Sequence, residues 1–208
     1  MFLAIDTSAG TDVAVVSDAG RLLAEYGLSD ARRHAEAVGW AIERTLREAG
    51  LQPRHLDGVV CGMGPGPFTG LRVGVAAART FAFAAGLSLH PMASHDAVAH
   101  EWRHAHPDHR GPVLVTTDAR RRELAASRYE FGELRSAGGF ALMTPAAAES
   151  AAAEPGLERA DARQISAHHL TLAWLEGRHQ DLPELTDEIL YLRAPDAKPG
   201  AVPKRVTA

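Results

Sequence analysis

Cysteine is all but absent from this 208-residue chain: the single Cys61 rules out an intrachain disulfide and suits a reducing compartment. It falls in the apolar run Val59-Val60-Cys61, where a buried, inert thiol is expected. A large excess of either charge is also lacking. Lysine and arginine number 22 against 26 aspartate and glutamate, a formal net charge of −4, so bulk charge gives nucleic acid no non-specific hold. Any RNA contact needs a local basic patch or a partner's surface. Long apolar runs are lacking too: the longest, residues 73–87, is broken by Arg79 and Thr80 and is too short to span a bilayer. The opening Met1-Phe2-Leu3-Ala4-Ile5 has no basic segment and reaches Asp6 too soon for a leader. The expectation is a soluble, cytoplasmic protein without membrane contact. What is present is ordinary for a globular chain, 46% hydrophobic and 23% charged, and suffices for one large domain or two small lobes.

Residues 2–5, 12–17 and 22–28 read as three short strands, the last two joined by the turn signal Asp18-Ala19-Gly20. A helix follows over 33–49, with Val38, Ile42, Leu46 and Ala49 on one face and Gly50 as its stop. A β run at 58–62 leads through a Gly/Pro loop at 64–69 into a helix over 70–85. A further helix runs from Ser94, read as its N-cap, to His104, and Pro107 ends it. The order β-β-β-α-β-α then begins again more weakly, with strands at 113–117, 123–131 and 140–143, helices at 146–153 and 166–177, and a last strand at 188–193. The expected fold is therefore α/β and actin-like (the ASKHA, ribonuclease H-like class), two-lobed, with degenerate β-β-β-α-β-α repeats. The lobes are placed at 1–107 and 108–208, the second shortened and ending in an extended tail over 194–208.

The helix over 70–85 has only Arg72, Arg79 and Thr80 as polar residues. A helix apolar all round must be covered all round, either by its own chain or by a partner. Gly70, Gly74, Ala78, Ala82 and Gly86 form a ridge of small residues at i, i+4 spacing that permits close approach of another helix. The preceding helix is thin in bulk as well (Ala35, Ala37, Gly39, Ala41). This favours an intermolecular interface burying on the order of 800 Å² per partner. Its candidate residues are Val38 and Ile42 from the first helix, and Leu71, Arg72, Gly74, Val75, Ala78, Arg79, Ala82 and Phe83 from the second. On this reading Ala78→Arg abolishes association and leaves the fold intact.

Catalytic signals are incomplete. Actin-like ATPases cradle phosphates in two hairpin turns carrying an aspartate, hydroxyl residues and glycines. The first turn here, Asp6-Thr7-Ser8-Ala9-Gly10-Thr11, keeps those residue types, whereas its counterpart Thr117-Asp118-Ala119-Arg120-Arg121-Arg122 has no glycine and three arginines. Asp6, Thr7 and Ser8 thus read as a vestigial phosphate-type turn, and no catalytic residue, metal or cofactor is assigned. The glycines of Gly62-x-Gly64-x-Gly66 lack the Gly-Lys-Ser/Thr ending of a phosphate loop, and Pro65 and Pro67 remove two amides, so a rigid turn is expected. The sharpest rival is His100-Glu101-Trp102-Arg103-His104, which fits the H-E-x-x-H pattern of a zinc metallopeptidase, with His106 and His109 as candidate third ligands. The stretch is rich in histidine throughout, which favours solvated surface histidines instead.

Together these pieces resemble the TsaB family (also called YeaZ), actin-like proteins of tRNA threonylcarbamoyladenosine biosynthesis. The resemblance rests on Leu3-Ala4-Ile5-Asp6-Thr7-Ser8, on Gly64-Pro65-Gly66-Pro67-Phe68-Thr69-Gly70-Leu71-Arg72-Val73-Gly74, and on Asp118-Ala119-Arg120-Arg121 and Tyr191-Leu192-Arg193-Ala194-Pro195-Asp196. It covers residues 1–135, fades, and returns near Ile189. Pro67 stands where the family usually has serine, and the region 144–164 looks shortened. The resemblance implies a non-catalytic subunit that binds and activates a TsaD-type transferase, which modifies the adenosine next to the anticodon. It also implies a TsaE-type ATPase joining the assembled pair, a homodimer when the protein is alone, and tRNA contact only within the complex. TsaD-type proteins hold metal through an H-x-x-x-H pair on the first long helix; here His34 is followed at i+4 by Val38. The helices at 33–49 and 70–86 are the implied partner face.

Overall fold

The computed structural model describes residues 1–29, 34–191 and 193, with backbone alone for 34–36. Strands β1 (Phe2–Asp6), β2 (Thr11–Val16) and β3 (Leu22–Leu28) form an antiparallel meander. Helix α1 (His34–Glu48) carries the chain back so that β4 (Gly58–Gly62) pairs parallel to β1. Helix α2 (Phe68–Ala85) repeats the crossover and sets β5 (Ser88–Met92) parallel to β4, for a sheet order β3-β2-β1-β4-β5. Helix α3 (Ser94–Ala105) leads into a second sheet of β6 (Val113–Asp118), β7 (Leu124–Tyr129) and β8 (Ala141–Met143). After α4 (Pro145–Ala152), β9 (Glu158–Ala162) joins β6 in parallel, giving the order β8-β7-β6-β9, and α5 (Ala167–His179) follows. This is the actin-like α/β fold expected.

Alternation along the strands decides what each helix covers, because successive side chains point to opposite faces. Leu3, Ile5, Val13, Val15, Val59 and Cys61 face α1 and α2, where they meet Val38, Ile42, Leu46, Val75 and Ala78. Phe2, Ala4, Ala14, Val16 and Val60 face α3 and α5, in one cluster with Val98, Leu170 and Trp174. That cluster continues into Val113, Val115 and Tyr129 of the second sheet, so α3 and α5 lie within a core shared by both sheets. The central strands are buried on both sides and are apolar apart from Asp6, Thr11 and Asp12 at their ends. Cys61 is buried as expected, and desolvation pushes its thiol well above the ordinary range.

Three expectations need correction. Two strands were not anticipated, β5 and β9, and both are edge strands. Pro91 within β5 argues against a strand except at an edge, and β9, Glu-Arg-Ala-Asp-Ala, has the charge that edges tolerate and no apolar alternation. The expected last strand at 188–193 is not one among the described residues. A single backbone bond, Leu190 N–H to Met63 O at 2.8 Å, attaches that segment, and Ile189 and Leu190 pack on the α1/α2 side of the core. Ser94 is not the N-cap of α3. Ala93 holds that position, and the Ser94 hydroxyl turns to Asp6 instead. The expected tail over 194–208 lies outside the described residues.

Candidate functional site

The first turn is knitted shut. Asp6 Oδ1 accepts from the backbone N–H of Ser8 at 2.7 Å and from its hydroxyl at 2.6 Å, while Oδ2 accepts from the Ser94 hydroxyl. The Thr7 hydroxyl donates to Gly70 O at 2.8 Å, pinning the start of α2. Burial raises the Asp6 carboxyl above its usual range, against the lowering pull of the Ser8 and Ser94 hydrogen bonds. Two glycines are obligatory here. A Cβ on Gly62 would lie 1.8 Å from Asp6 Oδ2, and one on Gly74 would lie 2.0 Å from Thr7 Oγ1. Asp6, Thr7 and Ser8 are thus buried side chains that hold strand, loop and helix together.

Across a cleft of ≈ 540 Å³ stands the second turn. Arg120, Arg121 and Arg122 all adopt the left-handed conformation, with φ of 64°, 55° and 62°. Such geometry costs a non-glycine residue about 1–2 kcal/mol. It is braced by the Arg120 N–H on Asp118 Oδ1 at 2.9 Å, by the Ala119 N–H on Glu123 O at 2.9 Å, and by Arg193, which grips Ala119 O and the Glu123 carboxylate. Ser8 and Ala9 face Thr116, Thr117, Asp118 and Arg120 over the cleft, with Arg159 and Arg163 at its side.

The interface candidates separate into two sets. Leu71, Gly74, Val75, Ala78 and Ala82 lie on the inner side of α2, and Val38 and Ile42 on the inner side of α1, all buried in the protein's own core. The small-residue ridge therefore faces inward, and Ala78→Arg would disrupt the fold itself; the earlier expectation is corrected. Arg72, Arg79 and Phe83 are exposed, on a stripe with Phe68, Ala76 and Thr80. Phe83 is 90% exposed, and Trp40 on α1 is 46% exposed. Arg72 lies over the Phe68 ring at 5.0 Å, and Phe68 packs on Tyr191 at 4.9 Å. Arg79 donates to Asp187 Oδ1 at 2.8 Å and to Asp187 O at 2.7 Å. Between the helices runs a groove of ≈ 480 Å³ walled by Ile42, Leu46, Leu51, Pro53 and Phe81, with Glu43 and Arg47 on its rim. The helix is thus apolar inside, while its outer side, the open one, mixes Phe68 and Phe83 with Arg72, Arg79 and Thr80. Sequence spacing located the helix and not its orientation; Trp40 was missed because α1 was read from its buried face alone.

The H-E-x-x-H residues do not form a metal centre. His100 is buried rather than solvated: its Nδ1 lies 2.9 Å from His169 Nδ1, and its ring stacks on His104 at 4.1 Å. Burial lowers His100 to about 3 and His169 to about 4. Glu101 opens instead onto a separate polar cavity with Asp12, Glu25 and Gln164. His106 stacks on Trp102 at 4.2 Å and His109 meets that ring edge-on. Among the described residues no group of three or more His, Cys, Asp or Glu is arranged to hold a metal ion. The side chain of His34 lies outside the described residues, and Val38 is in the core.

Comparison with known proteins gives a family-model match over residues 21–181, described as TsaD: tRNA N6-adenosine threonylcarbamoyltransferase. An uncharacterized protein of Mycobacterium tuberculosis is 36% identical over 216 residues, covering 96% of this chain and 95% of the relative. The tRNA threonylcarbamoyladenosine biosynthesis protein TsaB of Bacillus subtilis is 29% identical over 129 residues, covering 62% of this chain and 55% of its own. Among solved structures, YeaZ of Pseudomonas aeruginosa superposes with a TM-score of 0.74 at 22% identity, over 92% of this chain and 99% of that one.

Proposed function

Since the chain belongs to the TsaD family of tRNA N6-adenosine threonylcarbamoyltransferases and resembles the TsaB (YeaZ) proteins within it, we propose that it is the non-catalytic partner subunit of a TsaD-type transferase. It serves threonylcarbamoyl modification of the adenosine beside the anticodon, in the cytoplasm. The observation that carries the reading is the outer side of α1 and α2, where Phe83 near the end of α2 is 90% exposed, and Phe68 at its start and Trp40 on α1 are also exposed. Large aromatics on an otherwise small-residue helix are what a protein interface uses as anchors. The buried first turn and the glycine-free second turn support a binding role over catalysis by this chain alone. The same face pairs two copies when the transferase is absent. A TsaE-type ATPase then joins the assembled pair, and tRNA is engaged only in that assembly.

Light scattering of the protein alone and mixed with a TsaD-type protein tests this. A mixed complex should replace any self-dimer. Phe83→Asp should weaken both associations by at least about tenfold, the scale of one lost anchor, with an unchanged melting midpoint. Mixed-complex formation unaffected by Phe83→Asp would remove this face from the proposal.

A further inference from the structure

Beyond α5 the chain crosses from one wall of the cleft to the other. Residues 187–191 and Arg193 carry no helix or strand, yet they are fastened at four points in chain order. Asp187 takes the Arg79 guanidinium at 2.8 Å, on the outer side of α2. The Leu190 N–H donates to Met63 O at 2.8 Å, in the loop between β4 and α2. Tyr191 packs on Phe68 at the start of α2, with ring centroids 4.9 Å apart. Arg193 then reaches the second turn, where it donates to Ala119 O at 3.1 Å and to the Glu123 carboxylate. Three fastenings thus belong to α2 and its entry, and the fourth belongs to the arginine turn.

That turn needs bracing. Arg120, Arg121 and Arg122 all sit in the left-handed region, which residues with a Cβ keep only where their surroundings over-determine it. Part of the bracing is internal: Asp118 Oδ1 accepts from the Arg120 N–H, the Ala119 N–H bonds Glu123 O, and the Glu123 N–H bonds Arg120 O. Arg193 holds the same turn from outside the hairpin. Its grip is partly buried, whereas the Arg79–Asp187 pair is exposed, on the face that the proposed function gives to a partner.

We propose that residues 187–191 and Arg193 act as a strap coupling the outer face of α2 to the arginine turn, so that occupancy of Phe68 and Arg79 sets how firmly Arg193 holds Ala119 and Glu123. The inference rests on the proposed function only for the identity of the occupant. Coupling requires an element with two arrangements that both ends bias, and a strap can be held or released. A partner that takes the Arg79 guanidinium or the Phe68 ring for itself removes fastenings and favours release. Release relaxes the turn that sets Asp118 and Arg120 on the cleft wall.

The test is amide hydrogen exchange of the full chain at Leu190, Ala119 and Glu123, three N–H groups with backbone partners. Arg79→Ala should speed all three by about threefold, the scale of an exposed ion pair. Adding Tyr191→Ala should bring the rise to about tenfold, the scale of a lost ring contact as well. Amides in the middle of β6 and β7 should keep their protection, because the opening is local. Coupling is reciprocal, so Arg193→Ala should speed Ala119 and Glu123 by about tenfold and Leu190 by about threefold. Mixing with a TsaD-type protein should speed Ala119 and Glu123 by at least about threefold in the unmodified chain and not in Arg193→Ala. Unchanged exchange at Ala119 and Glu123 in the Arg79→Ala/Tyr191→Ala chain, or in a mixed complex that does form, would overturn the proposal. If no complex forms, the proposed function fails, and the variants of the chain alone still decide whether the strap couples its two ends.

Discussion

One sheet and two helix pairs offer an internal comparison. β1 sends Leu3 and Ile5 towards α1 and α2, and Phe2 and Ala4 towards α3 and α5. Beyond α3 and α5 lies the second sheet, and the helices meet it with polar groups that find partners. His95 bridges Ser127 at 2.8 Å and Thr117 at 2.9 Å and Asp96 takes the Tyr129 hydroxyl, while between the two helices His100 meets His169. Beyond α1 and α2 the outer surface stays open, and there the chain displays Trp40, Phe68 and Phe83. A helix pair covered by its own chain could afford buried polar groups because their bonds are fixed within one molecule. The open pair carries its charges, Glu43, Arg47, Arg72 and Arg79, on the same outer surface as those aromatics, and the proposed function takes the aromatics as its anchors.

The strongest way to break this comparison is to exchange the two sides of α2. Ala78 is fully buried beneath α2 and Phe83 projects from it. Ala78→Arg places an unpaired cation in the core and should cost at least about 3–5 kcal/mol, enough to abolish cooperative unfolding of a marginally stable domain. Circular dichroism would report it directly. Phe83→Asp should leave the melting curve in place. If Ala78→Arg melted normally and Phe83→Asp did not, inside and outside would have been assigned the wrong way round.

The sequence was informative wherever a pattern had one physical reading. The meander, both crossover helices and the Ser166-capped α5 were legible from periodicity and capping, with Ser166 accepting from the His169 N–H at 3.2 Å. The edge strands β5 and β9 were not, because an edge strand is half solvated and here carries proline or charge. The site was legible as a helix and not as a face. Apolar residues dominate α2, and Arg72, Arg79 and Thr80, which mark its outer side, were not used to orient it, so the ridge Gly74, Ala78, Ala82 looked like a contact for a partner when it is a contact for Thr7 and the sheet. Nor could spacing reveal Arg193 as a brace of the second turn, since the two lie far apart in sequence.

A second, smaller effect sharpens the same comparison through pH. Burial lowers His95 to about 3, from an ordinary 6.5, so the unfolded chain binds a proton that the folded one refuses. Its contribution to stability is present above pH 6.5 and lost as pH falls towards 3. Asp96 is the reverse. Raised from 3.8 to about 7, it holds its proton when folded, and its contribution is present below 3.8 and lost as pH rises through 7. Both groups sit on the α3 side, one residue apart. Relative to His95→Gln, the unmodified protein should lose melting temperature on acidification from pH 6.5 to 4.5. Relative to Asp96→Asn, it should lose melting temperature on going from pH 5 to 7.5. The two difference curves should therefore slope in opposite directions, and slopes of the same sign would refute the assignment of one ring or carboxyl.

The smallest effect should come from the outer side, at Arg79. Its guanidinium is paired with Asp187, at side-chain exposures of 42% and 56%, where screening leaves little net gain. Arg79→Ala should cost about 1 kcal/mol or less, a shift of roughly 2–4 °C. Its consequence should instead be local. Arg79 holds residue 187 close to the point where the Leu190 N–H meets Met63 O, and Leu190 packs on the core shared with α2. Loss of the clamp should speed hydrogen exchange at Leu190 while the amides of β1 and β4 keep their protection, because local opening and global unfolding are separate events. Faster exchange throughout the sheet would mean that the outer side of α2 supports the fold as the inner side does, and the distinction between a covered face and an open one would fail at this residue.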